Sequence, residues 1–151
     1  METIHARCAG LDVHKQTVVA CVRLTTAGRA QREVRTFSTT AAGLLALREW
    51  LVAAGSTHAV LESTGVYWKP VWHMLEDHLT LVLANATVVR NLPGRKSDVS
   101  DAQCLADLLA HGLVRGRFVP PAPIQALREL TRTRKQLGRE VTAHSQRIEK
   151  V

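Results

Sequence analysis

The chain opens with two apolar runs that do not alternate with polar residues. Cys8-Ala9-Gly10-Leu11-Asp12-Val13 and Thr17-Val18-Val19-Ala20-Cys21-Val22-Arg23-Leu24 are separated only by the polar turn His14-Lys15-Gln16. Continuous runs of this length predict strands covered on both faces, and so short a turn between them predicts a hairpin. After the turn residues Thr25-Thr26-Ala27-Gly28, Arg29 to Phe37 alternates polar and apolar positions, the pattern of a half-exposed third strand. The period then lengthens. A cap among Ser38, Thr39 and Thr40 precedes Leu44, Leu47, Leu51 and Val52, which predict a helix ending near Gly55. His58 to Glu62 reads as a short buried strand that ends on a carboxylate, and Ser63-Thr64-Gly65 turns into a second helix carrying Tyr67, Trp68, Trp72 and Leu75. Pro70 is tolerable in the first turn of that helix. Leu79 to Ala84 predicts a fifth strand. Beyond a long loop through Asn91-Leu92-Pro93-Gly94, a last core helix runs from about Asp98 to His111, before Gly112. The order is βββαβαβα, an α/β domain over residues 1–114.

Residues 115–123 carry Pro120, Pro121 and Pro123 and form a stiff connector that cannot continue a helix. From 124 to 151 the positions Leu127, Leu130, Arg134, Leu137, Val141, His144, Ile148 and Val151 follow alternating steps of three and four, a coiled-coil seam with two polar intrusions. A helix of ~28 residues is ~42 Å long at 1.5 Å per residue, longer than so small a domain is wide. Part of it therefore needs another partner, and the expectation is homo-oligomerisation through this seam. With no capping signal at Val151, the expectation is also that the chain is the amino-terminal part of a longer protein, cut inside a helix.

Composition changes this picture in one respect. At 151 residues and 46% hydrophobic, the chain can bury one good core. No apolar run approaches the ~18 residues that span a bilayer, and the start of the chain lacks a signal-peptide layout, so a cytoplasmic protein is expected. Cys8, Cys21 and Cys104 are odd in number, form no C-x-x-C pair and suit reduced core positions; neither they nor the histidines have the spacing of a zinc site. The net charge of +7, however, is lopsided. Residues 1–111 hold 11 Lys/Arg against 10 Asp/Glu, whereas residues 112–151 hold 9 against 3. A basic block of this kind can hold phosphate backbones by releasing counterions, which nominates Arg115, Arg117, Arg132 and Lys135 as nucleic-acid contacts.

The acids carry the candidate chemistry. At roughly 100° per residue, Asp98, Asp101, Leu105, Leu108 and Leu109 share one helical face, while Asp107 falls opposite and is expected to face water. Acids on a core-facing stripe require a cation, a proton or strong hydrogen bonds, since an unpartnered buried charge costs several kcal/mol or more. A simpler account has Ser97 or Asp98 capping the helix and both acids complementing its dipole. The βββαβαβα order adds a reason to prefer the former: the fourth strand can lie parallel to the first, which sets Glu62 beside Asp12, and the last helix can bring its first turn to the same edge. Four converging carboxylates suit Mg²⁺ or Mn²⁺, and paired divalent ions support phosphodiester cleavage. Arg90, Arg95, Lys96 and Lys15 stand where they can neutralise an entering phosphate.

Three blocks, Gly10-Leu11-Asp12-Val13-His14-Lys15, Glu62-Ser63-Thr64-Gly65-Val66-Tyr67-Trp68 and Asn91-Leu92-Pro93-Gly94-Arg95-Lys96-Ser97-Asp98 through Asp101-Ala102, occur in the order seen in one family. In them the chain resembles the amino-terminal domain of IS110-type (DEDD) transposases of bacterial insertion sequences. The resemblance implies a RuvC-like domain of the ribonuclease H fold, a mixed five-stranded sheet, with Asp12, Glu62, Asp98 and Asp101 at the family's D, E, D and D positions as catalytic metal ligands. It further implies action on DNA, both element ends and target, a guide RNA from the element, and a carboxy-terminal domain with a nucleophilic serine. Two alternatives stay open: a stand-alone Holliday-junction resolvase-like nuclease, and a non-catalytic nucleic-acid-binding dimerisation module. An actin-like or sugar-kinase half fits less well, because Val13-His14-Lys15-Gln16 is not a Gly/Thr-rich phosphate turn.

Overall fold

The computed structural model describes residues 2–84 and 98–150. Their elements are β1 (Arg7–Val13), β2 (Thr17–Thr26), β3 (Arg29–Ser38), α1 (Ala41–Ala53), β4 (His58–Ser63), α2 (Trp68–Leu75), β5 (Thr80–Leu83), α3 (Asp98–Ala110) and α4 (Ala122–Glu149). The chain forms two compact units, Met1–Arg117 and Phe118–Val151.

In the first unit the strands make one sheet in the order β3-β2-β1-β4-β5. The apolar runs occupy its centre because both of its faces are covered: six of the seven β1 residues and six of the ten in β2 are buried. The β1–β2 and β2–β3 pairs are antiparallel, whereas β4 runs parallel to β1 and β5 parallel to β4. Ala27 and Gly28 alone connect β2 to β3, with φ of 47° and 78°. Two consecutive positive φ values match the twist of flanking antiparallel strands, which is why a glycine closes this turn. β3 alternates in exposure as its sequence does and forms an edge.

Among the three possible caps of α1, Thr40 is the one used: its hydroxyl accepts from the Gly43 amide at 3.2 Å. Leu44, Leu47 and Leu51 bury the inner face of α1, while Val52 stays 49% exposed. In α2 the buried positions are Val71 and Leu75, not the tryptophans. Trp68 and Trp72 are half-buried and meet edge to face, ring centroids 5.8 Å apart. A bulky indole at the rim of a short helix leaves the deep positions to smaller aliphatics. Leu83 and Ala84 find a further partner in the segment after α3: Arg117 donates its amide to the Leu83 carbonyl, and Ala84 bridges Gly116. Residues 116 and 117 thus join the sheet unit.

The face of β1 formed by Cys8, Gly10 and Asp12 meets α3. The Cys8 thiol donates to the Ala106 carbonyl at 3.4 Å. At Gly10, a Cβ would run into the Ala102 carbonyl oxygen and the Ala106 amide and stand 2.8 Å from Leu105 Cβ. Helix and strand therefore touch backbone to backbone. Ala9, Leu11 and Val13 point to the opposite face, equally buried, where α1 and α2 pack on each other, on β3 and on β4. The first unit is thus layered α/β/α.

The second unit is α4, 28 residues long, with Leu127, Leu130, Leu137, Val141 and Ile148 all exposed along it. Among the described residues no helix is long and apolar enough to cross a membrane.

The Gly10 contact yields a test. Backbone atoms cannot rotate out of the way as a side chain does, so Gly10→Val is expected to destabilise the first unit by about 3 kcal/mol or more, at or above the usual cost of overpacking. Denaturant unfolding followed by circular dichroism measures it, and a change below about 1 kcal/mol would show that α3 is free to shift.

Candidate functional site

The contacts of Cys8 with Ala106 and of Gly10 with Ala102 fix the direction of α3: as β1 advances, the helix numbering falls, so the two run antiparallel. Two strand residues beyond Gly10 cover ~6.7 Å and reach Asp12, while four helical residues before Ala102 cover ~6 Å and reach Asp98. The end of β1 and the start of α3 thus come level. Asp12 pairs in register with Glu62 across the parallel β1–β4 ladder, as Gly10 does with Val60. Val60 packs with Leu105 and Leu109, so Glu62, two residues on, lies on the same face of the sheet.

Three of the four acids are then placed with their surroundings. Asp12 is only 8% exposed, and its Oδ2 lies 3.1 Å from His14 Nε2. Glu62 is half-buried near the end of β4. Asp101, in the first turn of α3, is half-buried, with Oδ1 out of contact with solvent. Asp98 opens α3, and its side chain falls outside the described residues. Among the described residues no three His, Cys, Asp or Glu side chains form a group able to hold a metal ion. The donor set nevertheless fits a hard divalent cation: oxygen ligands alone, from neighbouring strands and the helix that meets them.

Lys15 is exposed in the β1–β2 turn, two residues beyond the end of β1. Arg90, Arg95 and Lys96 lie outside the described residues. Arg115 and Arg117 are exposed where the chain leaves the sheet unit, and Arg132 and Lys135 are exposed on α4. The structure brings Asp12, Glu62 and the first turn of α3 to one sheet edge; the residues on α4 belong to the other unit.

Asp107 departs from its expected place in water. It accepts from Arg23 Nε at 2.8 Å and from Arg32 Nη2 at 2.8 and 3.0 Å. Arg23 also donates to Thr25 Oγ1 at 2.7 Å, and its side chain is 6% exposed. Opposite the stripe of acids proved to mean over β2 and β3, because α3 crosses the sheet broadly enough to contact β1 to β4. The leucine stripe is also narrower than its phase implied. Ala102, Ala106 and Ala110 are buried with Leu105 and Leu109, while Leu108 is only half-buried. The available signal for the ion pair was Arg23 itself, a charge in an otherwise apolar strand.

Cys8 and Cys21 are buried and Cys104 is half-buried, all as free thiols. Burial pushes the Cys8 thiol up to about 11, against the opposing pull of Arg23. Burial, with Asp107 adding to it, pushes Cys21 up to about 11 as well.

A five-stranded mixed sheet in the order β3-β2-β1-β4-β5, with helices on both faces, is the RuvC-like form of the ribonuclease H fold. RuvC of T. thermophilus in complex with a Holliday junction substrate superposes with a TM-score of 0.52 at 11% identity, over 74% of this chain and 99% of that one. A second Thermus thermophilus RuvC structure gives 0.50 at 14% identity with the same coverage. No curated protein matches the sequence. The model of the DEDD transposases of IS110 type, described as a transposase, matches residues 9–151, and the chain belongs to that family.

Two outcomes follow from the paired and buried groups. Asp107→Ala leaves Arg23 buried without its carboxylate and is expected to cost about 1–3 kcal/mol, below the full penalty for a broken buried pair because Asp107 is one-third exposed. Urea unfolding checks it, and an unchanged midpoint would show the pair to be dispensable. For the thiols, the unfolded chain releases its protons near 9 while folded Cys8 and Cys21 retain theirs to about 11. Their contribution to stability is therefore complete below pH 9 and lost as the pH rises toward 11. At pH 8 a thiol reagent is expected to label Cys104 first, with Cys8 and Cys21 reacting only after denaturation; mass spectrometry of the labelled peptides reads the order.

Proposed function

We propose that residues 1–114 are the metal-dependent DNA-processing domain of an insertion-sequence transposase, joined by 115–123 to a coiled-coil helix over 124–151. The observation that carries this reading is the register of Asp12 with Glu62 at the sheet edge where α3 begins. Asp12, Glu62, Asp98 and Asp101 would hold Mg²⁺, or Mn²⁺ in its place. When bound, such ions lower the pKa of an attacking hydroxyl or water and stabilise a leaving oxygen in phosphodiester cleavage. The chain's own contribution is to aim the carboxylates from rigid strands and a helix, so that little reorganisation is needed at the reacting phosphate. Lys15, Arg90, Arg95 and Lys96 would neutralise the phosphates entering beside them, and Arg115, Arg117, Arg132 and Lys135 would hold other phosphates of the backbone.

Family membership supports element ends and target DNA as substrates, a guide RNA as partner and a cytoplasmic site of action. The heptad positions on α4 support pairing with a second copy. A stand-alone resolvase-like nuclease is the second reading. It is favoured by the near-complete coverage of the T. thermophilus RuvC chain solved in complex with a Holliday junction substrate.

Titration with Mn²⁺ separates a metal enzyme from a non-catalytic binding module. The wild-type chain is expected to bind Mn²⁺, and the double variant Asp98→Asn/Asp101→Asn to lose that binding while keeping its helix content. Equal binding by both proteins would rule out the assigned site.

A further inference from the structure

His14 stands beside Asp12, the most buried of the candidate acids among the described residues, and has no part in the roles assigned above. β1 ends at Val13, paired with Val18, and the His14 amide donates to the Thr17 carbonyl at 2.9 Å to close the hairpin. That bond fixes His14 one residue beyond the strand, on the same face as Asp12 by the two-residue period. Its Nε2 lies 3.1 Å from Asp12 Oδ2. The Asp12 side chain is 12% exposed and that of His14 is 43% exposed. A wet side chain thus reaches back to a dry carboxylate.

The consequence concerns the torsion that turns a carboxylate about its own axis. It is broad and roughly two-fold, so a strand can fix the position of Asp12 without fixing the plane of its oxygens. A donor on Oδ2 restrains that plane, and with it the position of Oδ1. From this geometry we infer that His14 is a positioning residue for Asp12: through Nε2–H it helps to orient the carboxylate for a divalent cation without ligating the ion itself. The inference rests on the reading of Asp12 as a ligand given above. Partners that hold ligating groups in this way commonly govern metal affinity nearly as strongly as the ligands do.

The test uses the full 151-residue chain and Mn²⁺ alone, titrated by the electron paramagnetic resonance signal of the free ion. His14→Ala is expected to weaken Mn²⁺ binding by about 10- to 100-fold, the usual effect of losing such a partner. Its thermal midpoint should stay that of wild type, because the side chain is half exposed. His14→Gln, whose amide NH₂ can donate to the same oxygen, is expected to recover most of the affinity. Wild-type affinity in His14→Ala would overturn the inference, as would a His14→Gln variant no better than His14→Ala. Pulsed resonance of the Mn²⁺-loaded wild type should lack the ¹⁴N coupling of a directly bound imidazole; its presence would make His14 a ligand and overturn the positioning role. A wild-type chain that binds no Mn²⁺ would overturn the metal-centre reading itself, and this inference with it.

Discussion

The approach of α3 to β1 at Gly10 is the constraint on which the rest of the first unit depends. With no side chain at that position, the helix backbone at Ala102 and Ala106 lies directly on the strand. Everything along α3 is then indexed to β1: Cys8 meets Ala106, Gly10 meets Ala102, and the first turn of the helix arrives at the level of Asp12. A larger residue at 10 would lift α3 away from the sheet edge, and the acids at its start would part from those on the strands. The alanines facing Gly10 serve the same purpose from the helix side. Core packing here and the arrangement of the candidate chemistry have one cause.

A second constraint fixes α3 against rotation about its own axis. Arg23 is buried in a central strand, and such a charge is tolerable only with a well-placed partner. Asp107 supplies it and also engages Arg32 from the neighbouring strand, so one carboxylate joins the helix to β2 and β3. The apolar contact at Gly10 sets how near α3 comes, and the ion pair sets which way it faces. Asp101 and Asp107 consequently take different flanks of the same helix, with Asp107 held over the arginines.

The second unit follows different physics. α4 buries none of its residues, and its exposed aliphatics recur at coiled-coil spacing among a large excess of basic side chains. Most helical stability in proteins comes from packing an apolar face, so a helix of this composition depends on what it meets. The family match spans both units, which makes the long basic helix as much a part of the transposase pattern as the sheet.

Much of the fold was legible in the sequence because its signals are local. Unbroken apolar runs marked β1 and β2, alternation marked β3, and the Leu44-Leu47-Leu51 spacing and Gly55 marked α1; the βββαβαβα order then allowed few topologies. Asp12 and Glu62 stood out as charges in buried strands, and Asp98 and Asp101 as acids on a core-facing stripe. What the sequence alone did not reveal depends on contacts between residues far apart in the chain. The use of Gly10 as the seat of α3, the pairing of Asp107 with Arg23 84 positions away, and the burial of Val71 in preference to Trp68 and Trp72 were settled only by how the layers pack. By itself the sequence determined the elements, their order and which acids are candidates, because periodicity and residue chemistry are written along the chain. Only the tertiary structure decided which strand α3 rests on, which way it runs and what meets its charged flank, because backbone approach and charge pairing exist only once the layers close.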